Sequence, residues 1–271
     1  MKAPLRTSIL SLAAGAWLMA IVPTYASPPL YDPSIRHQPK DGVVKLYGAG
    51  GPHTAFKKVA DAFSAKTGIP VEIIAGPERK WSADAQHDAD ILWGTSEQSM
   101  TAFLETYKTF TSETVEPIYI RPSVIAVKKG NPKGITGISD LLKDGMRIVV
   151  TEGAGVYNTS GTGVWEDVVG RTGNLEAIKA FRRNIVAYAK GSGASYRAFE
   201  GQDADAWITW PNWPLTHTDV ADMVEIDPDH RVWRDVNVSL SPEADPEAAQ
   251  FLSFLTGEEG AELMKTEGWV R

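Results

Sequence analysis

One pattern recurs along the chain and restricts its fold more than any other: a short apolar strand, a loop of glycines and hydroxyl residues, and an amphipathic helix. Residues 43–47 read as a strand that runs through residues 48–54 into a helix, whose apolar residues from Phe56 to Phe63 recur at i, i+3, i+4 and i+7. Residues 89–93 repeat the pattern through the loop 94–96. Because such alternation is typical of a parallel sheet covered by helices, the sequence predicts an α/β fold.

The pattern returns in the second half of the chain, in the loop 157–163. This loop reads Tyr-Asn-Thr-Ser-Gly-Thr-Gly and lies between a strand over residues 147–151 and a helix that begins near Val164. A loop of this composition at a helix start gathers backbone N–H groups, hydroxyls and the positive end of the helix dipole, which together favour an anion. The same residues also serve ordinary helix capping, so the loop alone leaves both interpretations open.

Two extended segments indicate that the chain forms two lobes. Residues 117–128 exceed the length of a typical strand and are interpreted as a strand that crosses from one lobe to the other, and residues 232–240 as the return crossing. We predict that residues 27–122 and 236–271 form lobe 1 and that residues 123–235 form lobe 2. A chain of 271 residues provides enough sequence for two lobes of ordinary domain size.

The N-terminus has the features of a secretory signal peptide. Lys2 and Arg6 precede an apolar run over residues 9–22, and Ala26 ends a small-residue cleavage motif, which places the signal peptide at residues 1–26. The alternative is a transmembrane anchor, but the run is shorter than the roughly 20 apolar residues that a span needs. The chain has no cysteine, which excludes disulfides and a lipoprotein anchor. We therefore expect a periplasmic protein that is not embedded in a membrane.

The net charge of the chain argues against some classes of binding partner. Removal of Lys2 and Arg6 with the signal peptide leaves 25 of the 27 basic residues against 34 acidic ones, a formal charge of −9. Nucleic acids and anionic membranes bind basic surfaces, so neither is expected as a partner. An anion that binds this protein must therefore be held by local geometry against the overall charge.

The candidate ligand-binding residues follow from one rule of α/β sheets, that ligands bind beyond the carboxyl ends of the strands. If the crossing strands bring the two lobes together, the loops at those ends converge on one cleft. The candidates are Gly51, Pro52, His53, Thr54, Ser96, Arg121, Thr159, Ser160, Gly161, Thr162 and Trp210.

Four of these candidates have a second interpretation. His53 either donates to an anion or is a loop residue with its ring in solvent, and Thr54 is expected to cap a helix as well as contact the ligand. Arg121 either makes a bidentate contact to a carboxylate or phosphate or forms a surface ion pair, as many arginines do. Trp210 either faces the cleft or belongs to the core.

Enzymatic function has little support in the sequence. His53 occupies the position of the third glycine of a dinucleotide-binding fingerprint, and the chain has no Gly-x-Ser-x-Gly elbow. The five histidines are scattered without i, i+4 partners, so no metal site is predicted. We expect no catalytic residues, no cofactor and no metal.

Four segments carry a resemblance to a known family: residues 46–54 (LYGAGGPHT), 89–98 (ADILWGTSEQ), 158–167 (NTSGTGVWED) and 205–210 (DAWITW). They resemble the accessory colonisation factor family of periplasmic solute-binding proteins, within the type II group that includes the molybdate and sulfate binders. The resemblance covers nearly the whole chain after the signal peptide. It implies a type II periplasmic binding protein fold, in which two α/β lobes joined by two crossing strands close on an anion and deliver it to the permease of an ABC importer.

The resemblance also implies roles for individual residues. The oxyanion-binding positions fall on Thr54, Ser96, Ser160, Gly161 and Thr162, and Trp210 lies near the position where molybdate binders place a tyrosine. The larger side chain favours a larger ligand. We therefore expect a small organic acid with a carboxylate or phosphate group, or an oxyanion such as sulfate or molybdate. The alternative function is an adhesin that uses the same fold to contact a host surface, and a homodimer is left open.

Overall fold

The computed structural model describes residues 30–152, 161–201 and 203–271, and in these residues ten strands form two separate sheets of five strands each. The predicted loop residues Thr159 and Ser160 and the predicted signal peptide lie outside the described residues. Within the described ranges, no helix is both long enough and apolar enough to span a membrane.

The first sheet has four strands that run in the same direction and one antiparallel strand inserted beside its edge strand. Its order is β2-β1-β3-β10-β4, with β1 parallel to β2 and β3, and β10 antiparallel to β3 and β4. These strands span Val44–Gly48 (β1), Val71–Ala75 (β2), Ile91–Gly94 (β3), Val115–Pro122 (β4) and Trp233–Leu240 (β10).

The second sheet repeats this arrangement. Its order is β7-β6-β8-β5-β9, with β6 parallel to β7 and β8, and β5 antiparallel to β8 and β9. In each sheet the fourth strand in this order is the antiparallel one. It is β10, from the C-terminal half of the chain, in the first sheet, and β5, from the N-terminal half, in the second sheet. The strands span Val124–Lys128 (β5), Ile148–Glu152 (β6), Ile185–Lys190 (β7), Ala206–Thr209 (β8) and Ala221–Glu225 (β9).

Helices follow the strands and pack on the sheets. Gly68 ends the first helix in the left-handed conformation at φ 78°, the conformation that glycine adopts without steric cost. The helices span His53–Thr67 (α1), Ser82–Asp88 (α2), Glu97–Thr106 (α3), Ile138–Leu141 (α4), Val164–Gly170 (α5), Leu175–Arg183 (α6), Ser192–Gly201 (α7), Asn212–Thr216 (α8), Pro246–Thr256 (α9) and Glu258–Lys265 (α10).

Each sheet has its own hydrophobic core, which confirms the two lobes that the sequence predicts. In the first lobe Phe56 packs edge-to-face on Trp93, with ring centroids 5.5 Å apart. In the second lobe Trp165 of α5 stacks on Phe181 of α6 at 5.1 Å. Aromatic contacts of this kind add to the free energy gained by burying the rings.

The two lobes are joined where β4 passes into β5 and where the chain returns to β10. Ser123 separates β4 from β5, and its N–H donates to the Val232 carbonyl oxygen at 2.7 Å. The Val232 N–H donates in turn to the Ser123 hydroxyl at 3.0 Å. Because both residues are buried, this pair of bonds fixes the two crossings side by side. The predicted single crossing strand over residues 117–128 is therefore extended but divided at Ser123.

Three helix starts have distinct local features. α8 contains Pro214 in its first turn, where proline costs no internal hydrogen bond. The N-cap of α4 is Gly137. Leu175, the first residue of α6, is 65% exposed.

Candidate functional site

The carboxyl ends of β1 and β3 bring two of the predicted loops together. The two strands are parallel neighbours in register, with Gly48 opposite Trp93. A Cβ atom built on Gly51 would lie 3.5 Å from Cγ2 of Thr95, so the loop after β1 touches the loop after β3. The predicted convergence of these first-lobe loops is therefore present in the structure.

Ser96 and Thr95 have different environments. Ser96 is the N-cap of α3 and forms a capping box with Ser99: its hydroxyl accepts from the Ser99 N–H at 3.4 Å, while the Ser99 hydroxyl accepts from the Ser96 N–H at 3.1 Å. Thr95 is 1% exposed, and its hydroxyl has no hydrogen-bond partner among the described residues. A buried hydroxyl without a partner is costly, which makes Thr95 a further candidate for ligand contact. The sequence prediction included Ser96 but not Thr95.

Arg121, the penultimate residue of β4, lies at the junction of the lobes and is fully buried. Its Nη1 donates to Oδ1 of Asn212, the first residue of α8 in the second lobe, at 3.3 Å. A Cβ atom on Gly51 would lie 3.2 Å from the same nitrogen. The interpretation of Arg121 as a surface ion pair is therefore wrong, because the side chain has no exposed surface.

Two indole rings flank the Arg121 guanidinium. Its central carbon lies 4.7 Å from the ring centroid of Trp210 and 4.2 Å from that of Trp269, distances at which a cation is attracted to an aromatic face. Both tryptophans are almost fully buried, and neither indole N–H has a hydrogen-bond partner among the described residues. Trp210 thus both packs in the core and contacts a candidate site residue, while Trp269 was not predicted.

The charge of Arg121 survives its burial. Desolvation lowers the pKa of Arg121 to about 9, and the nearby Asp235 carboxylate acts in the opposite direction. At neutral pH the side chain is therefore cationic. A fully buried guanidinium between two lobes is suited to bind a carboxylate or phosphate through charge-assisted hydrogen bonds.

The residues at the start of α1 differ from expectation in one respect. Thr54 does not cap the helix, because the N-cap is Pro52 and no side chain bonds to the free N–H groups there. The Thr54 hydroxyl donates instead to Oε2 of Glu267, which lies near the C-terminus and is 1% exposed. The prediction that Thr54 contacts the ligand is not tested by this bond.

His53 has an exposed side chain whose Nδ1 lies 3.4 Å from the Gly51 N–H, in position to accept a hydrogen bond when the ring is neutral. Desolvation by neighbouring atoms lowers the pKa of His53, and the Glu267 carboxylate opposes this shift. In the unliganded protein the shift favours the neutral imidazole.

We expect the substitution Glu267→Gln to lower the pKa of His53 further. It removes the negative charge that favours the protonated ring, and it leaves the Lys58 ammonium, 2.7 Å from the Glu267 carboxylate, without its counter-charge. Histidine NMR titration of the unliganded protein measures this shift. Glu259→Gln, on the exposed side of α10, serves as the control and should leave the His53 titration unchanged. An unchanged or raised pKa of His53 in the Glu267→Gln variant would contradict the electrostatic coupling.

The second-lobe half of the site is described from Gly161 onward. A Cβ atom on Gly161 would lie 3.2 Å from Oγ1 of Thr151, at the end of β6, and 3.4 Å from Oγ of Ser192, at the start of α7. The Thr151 hydroxyl is in turn 2.8 Å from the Ser195 hydroxyl. Hydroxyl side chains therefore surround the predicted Gly161–Thr162 segment, and α5 begins at Val164 as predicted.

No group of three or more His, Cys, Asp or Glu side chains suited to hold a metal ion occurs within residues 30–152, 161–201 and 203–271. Among the described residues, the Arg121 guanidinium and the indole N–H groups of Trp210 and Trp269 are hydrogen-bond donors at the junction, with the Asp235 carboxylate nearby. Donors of this kind suit an anionic ligand.

Comparison with known proteins agrees with the fold and with this site chemistry. Residues 44–270 match the model of the family described as bacterial extracellular solute-binding protein. A search of curated proteins by sequence finds no match. PEB3 of Campylobacter jejuni, solved with L-phospholactate bound, is 44% identical with a TM-score of 0.80, and the alignment covers 84% of this chain and 99% of that one.

Two more distant structures share the fold. The sulfate-binding protein SubI of Mycobacterium tuberculosis is 14% identical, with a TM-score of 0.68 over 84% of this chain and 86% of that one. The periplasmic molybdate-binding protein of Azotobacter vinelandii is 16% identical, with a TM-score of 0.63 over 84% of this chain and 99% of that one. The fold is thus that of the type II periplasmic binding proteins, and the chain belongs to the family of bacterial extracellular solute-binding proteins.

Proposed function

We propose that this protein is a periplasmic receptor that captures a small organic acid carrying a phosphate or carboxylate group and delivers it to an ABC importer. The observation that carries the proposal is the fully buried, cationic Arg121, which contacts residues of both lobes. The guanidinium at this junction attracts an anion bound between the lobes and can donate charge-assisted hydrogen bonds to it.

The chemistry of the neighbouring groups supports an organic anion. The Thr95 hydroxyl and the indole N–H of Trp210 are buried donors without partners among the described residues. PEB3, at 44% identity, has been crystallised with L-phospholactate, a molecule with both a phosphate and a carboxylate. Structures at 14–16% identity support the fold alone and do not select sulfate or molybdate.

The proposal assigns the ligand to the residues that the sequence and its resemblance to the accessory colonisation factor family selected. In the first lobe these are Gly51, Pro52, His53, Thr54 and Ser96, and we add Thr95. In the second lobe they are Thr159, Ser160, Gly161, Thr162 and Trp210, with Arg121 at the junction.

A thermal-shift screen followed by calorimetry tests the binding function. L-phospholactate at a hundredfold excess over its Kd should stabilise the folded protein by about 2.7 kcal/mol. For a chain of this size, that corresponds to a rise of roughly 5–10 °C in Tm. Methyl lactate, which has neither anionic group, is the control and should have no effect. Failure of every carboxylate, phosphate and oxyanion tested to raise the Tm would contradict the proposal and favour the adhesin function.

Delivery to an importer needs a separate test. In cells that import the captured anion, deletion of this protein should abolish uptake at low external concentration and leave uptake at high concentration less affected. Equal uptake with and without the protein would contradict a role in transport while leaving the binding proposal intact.

A further inference from the structure

The segment Glu267–Val270 follows α10. Its side chains contact the start of α1 and Arg121, and its backbone approaches Pro211 and pairs with β4. Glu267 is 1% exposed and Trp269 is fully buried, although the segment lies at the very end of the chain. We call residues 267–270 the C-terminal brace. Neither the sequence patterns nor the comparisons assign it a role.

Glu267 holds the start of α1. Its carboxylate accepts a hydrogen bond from the Thr54 hydroxyl and pairs with the Lys58 ammonium at 2.7 Å. Thr54 and Lys58 are one turn apart on α1, so a single buried carboxylate fixes the first turn of this helix. That turn directly follows the Gly51 loop of the first-lobe half of the site.

Gly268 brings the brace against the second lobe. Its backbone is in the left-handed region at φ 81°, and a Cβ atom at this position would overlap the ring of Pro211. The same atom would lie 3.5 Å from a methyl group of Leu215. Only glycine permits this approach without strain, so the brace reaches α8 and the residue before it.

Trp269 and Val270 fix the position of Arg121. The centroid of the Trp269 ring lies 4.2 Å from the guanidinium carbon of Arg121, which is a residue of β4. Val270 exchanges two backbone hydrogen bonds with Ile120, the residue before Arg121, at 2.8 and 2.9 Å. The backbone bonds fix the position of Trp269 along β4. The indole ring then restricts the orientation of the Arg121 guanidinium.

We propose that the C-terminal brace is a positioning element of the anion site: it holds the α1 loop, the second-lobe residues at α8 and the Arg121 guanidinium in the mutual arrangement that binds the ligand. The residue that carries most of this effect is Trp269, because it contacts the cation directly. This inference rests on the proposed function, since it assumes an anion at Arg121.

Substitution of Trp269 tests the inference. Trp269→Leu removes the aromatic face, and we expect it to weaken binding of L-phospholactate about thirtyfold, the loss that corresponds to a desolvated cation–π contact. Trp269→Phe retains an aromatic face and should restore binding to within about threefold of the unmodified protein. Calorimetry below the Tm of each variant gives these affinities.

A matched control separates positioning from loss of stability. Trp81 is 3% exposed and packs in the first lobe against Tyr47 and Phe103, in a hydrophobic cluster whose described members include no candidate site residue. Trp81→Leu should therefore lower the Tm without changing the affinity. Equal binding by Trp269→Leu and the unmodified protein, or equal losses in Trp269→Leu and Trp81→Leu, would overturn the role of the brace.

A second measurement does not require a ligand. In the unliganded protein, the Arg121 Nε–H resonance should be shifted by the ring current of Trp269, and Trp269→Leu should move it and speed its exchange with water. An unchanged resonance and exchange rate would overturn the positioning role even if no anion were found to bind. If the unmodified protein bound no anion while Trp269→Leu altered this resonance, the proposed function alone would fail.

Discussion

Replacement of Arg121 by methionine is expected to weaken anion binding at least about thirtyfold. The variant removes the buried cation, and truncation of one partner of a buried, hydrogen-bonded charge pair costs about 2–5 kcal/mol of binding free energy. Arg121→Lys retains the charge but loses the planar fork, so it should bind more weakly than the unmodified protein and more tightly than Arg121→Met. Calorimetry with L-phospholactate measures all three affinities.

The same substitution should affect the stability of the unliganded protein less than it affects ligand affinity. Arg121→Met removes a guanidinium whose desolvation opposes folding, but it also removes the hydrogen bond to Asn212 and the contacts with two indole rings, so the two contributions to the Tm have opposite signs. Arg182→Met, on the exposed surface of α6, provides a control for loss of a positive charge and should change neither affinity nor Tm. A fall in Tm of Arg121→Met without a loss of affinity would mean that the arginine serves the fold and not the ligand.

Gly48→Ala is expected to destabilise the fold by about 3 kcal/mol, the upper end of the cost of overpacking a core. Gly48 is the buried last residue of β1, and a Cβ atom here would overlap both the indole ring and the carbonyl oxygen of Trp93. The Trp93 indole cannot move away easily, because its Nε1 donates a hydrogen bond to the Ala49 carbonyl oxygen at 2.7 Å. For a chain of this size the expected fall in Tm is roughly 6–12 °C.

Gly170→Ala is the matched control for this prediction. Gly170 is the exposed last residue of α5, and a Cβ atom there would meet nothing within 4 Å. Alanine favours helix more than glycine does, so the variant should be as stable as the unmodified protein or slightly more stable. Equal Tm values for Gly48→Ala and Gly170→Ala would contradict the close packing of Trp93 on β1.

The parts of the fold that the sequence predicts are those set by local patterns. The spacing of Phe56 to Phe63 and the position of Gly68 predict α1 and its end, because helix periodicity and glycine termination depend on neighbours in sequence. The short strand Ala221–Glu225 was missed, since its exposed and partly buried residues give a weak apolar signal at a sheet edge.

Prediction of the candidate site from local sequence patterns was limited in the same way. Glycine and hydroxyl loops after strands were sufficient to select Gly51 and Ser96, because the carboxyl ends of parallel strands meet at one edge of a sheet. The Thr54–Glu267 bond and the Trp269–Arg121 contact join residues about 150 to more than 200 positions apart, so no local pattern could reveal them. Burial of Arg121 likewise depends on both lobes and on the chain terminus.

A crystal structure of the protein with L-phospholactate tests the central claim most directly. The ligand is expected to lie between the two sheets at the carboxyl ends of β1, β3 and β6. One of its anionic groups should be within about 3.2 Å of an Arg121 guanidinium nitrogen, the distance of a hydrogen bond. A ligand bound on the outer surface of either lobe, or a cleft that stays empty at saturating concentration, would contradict the account.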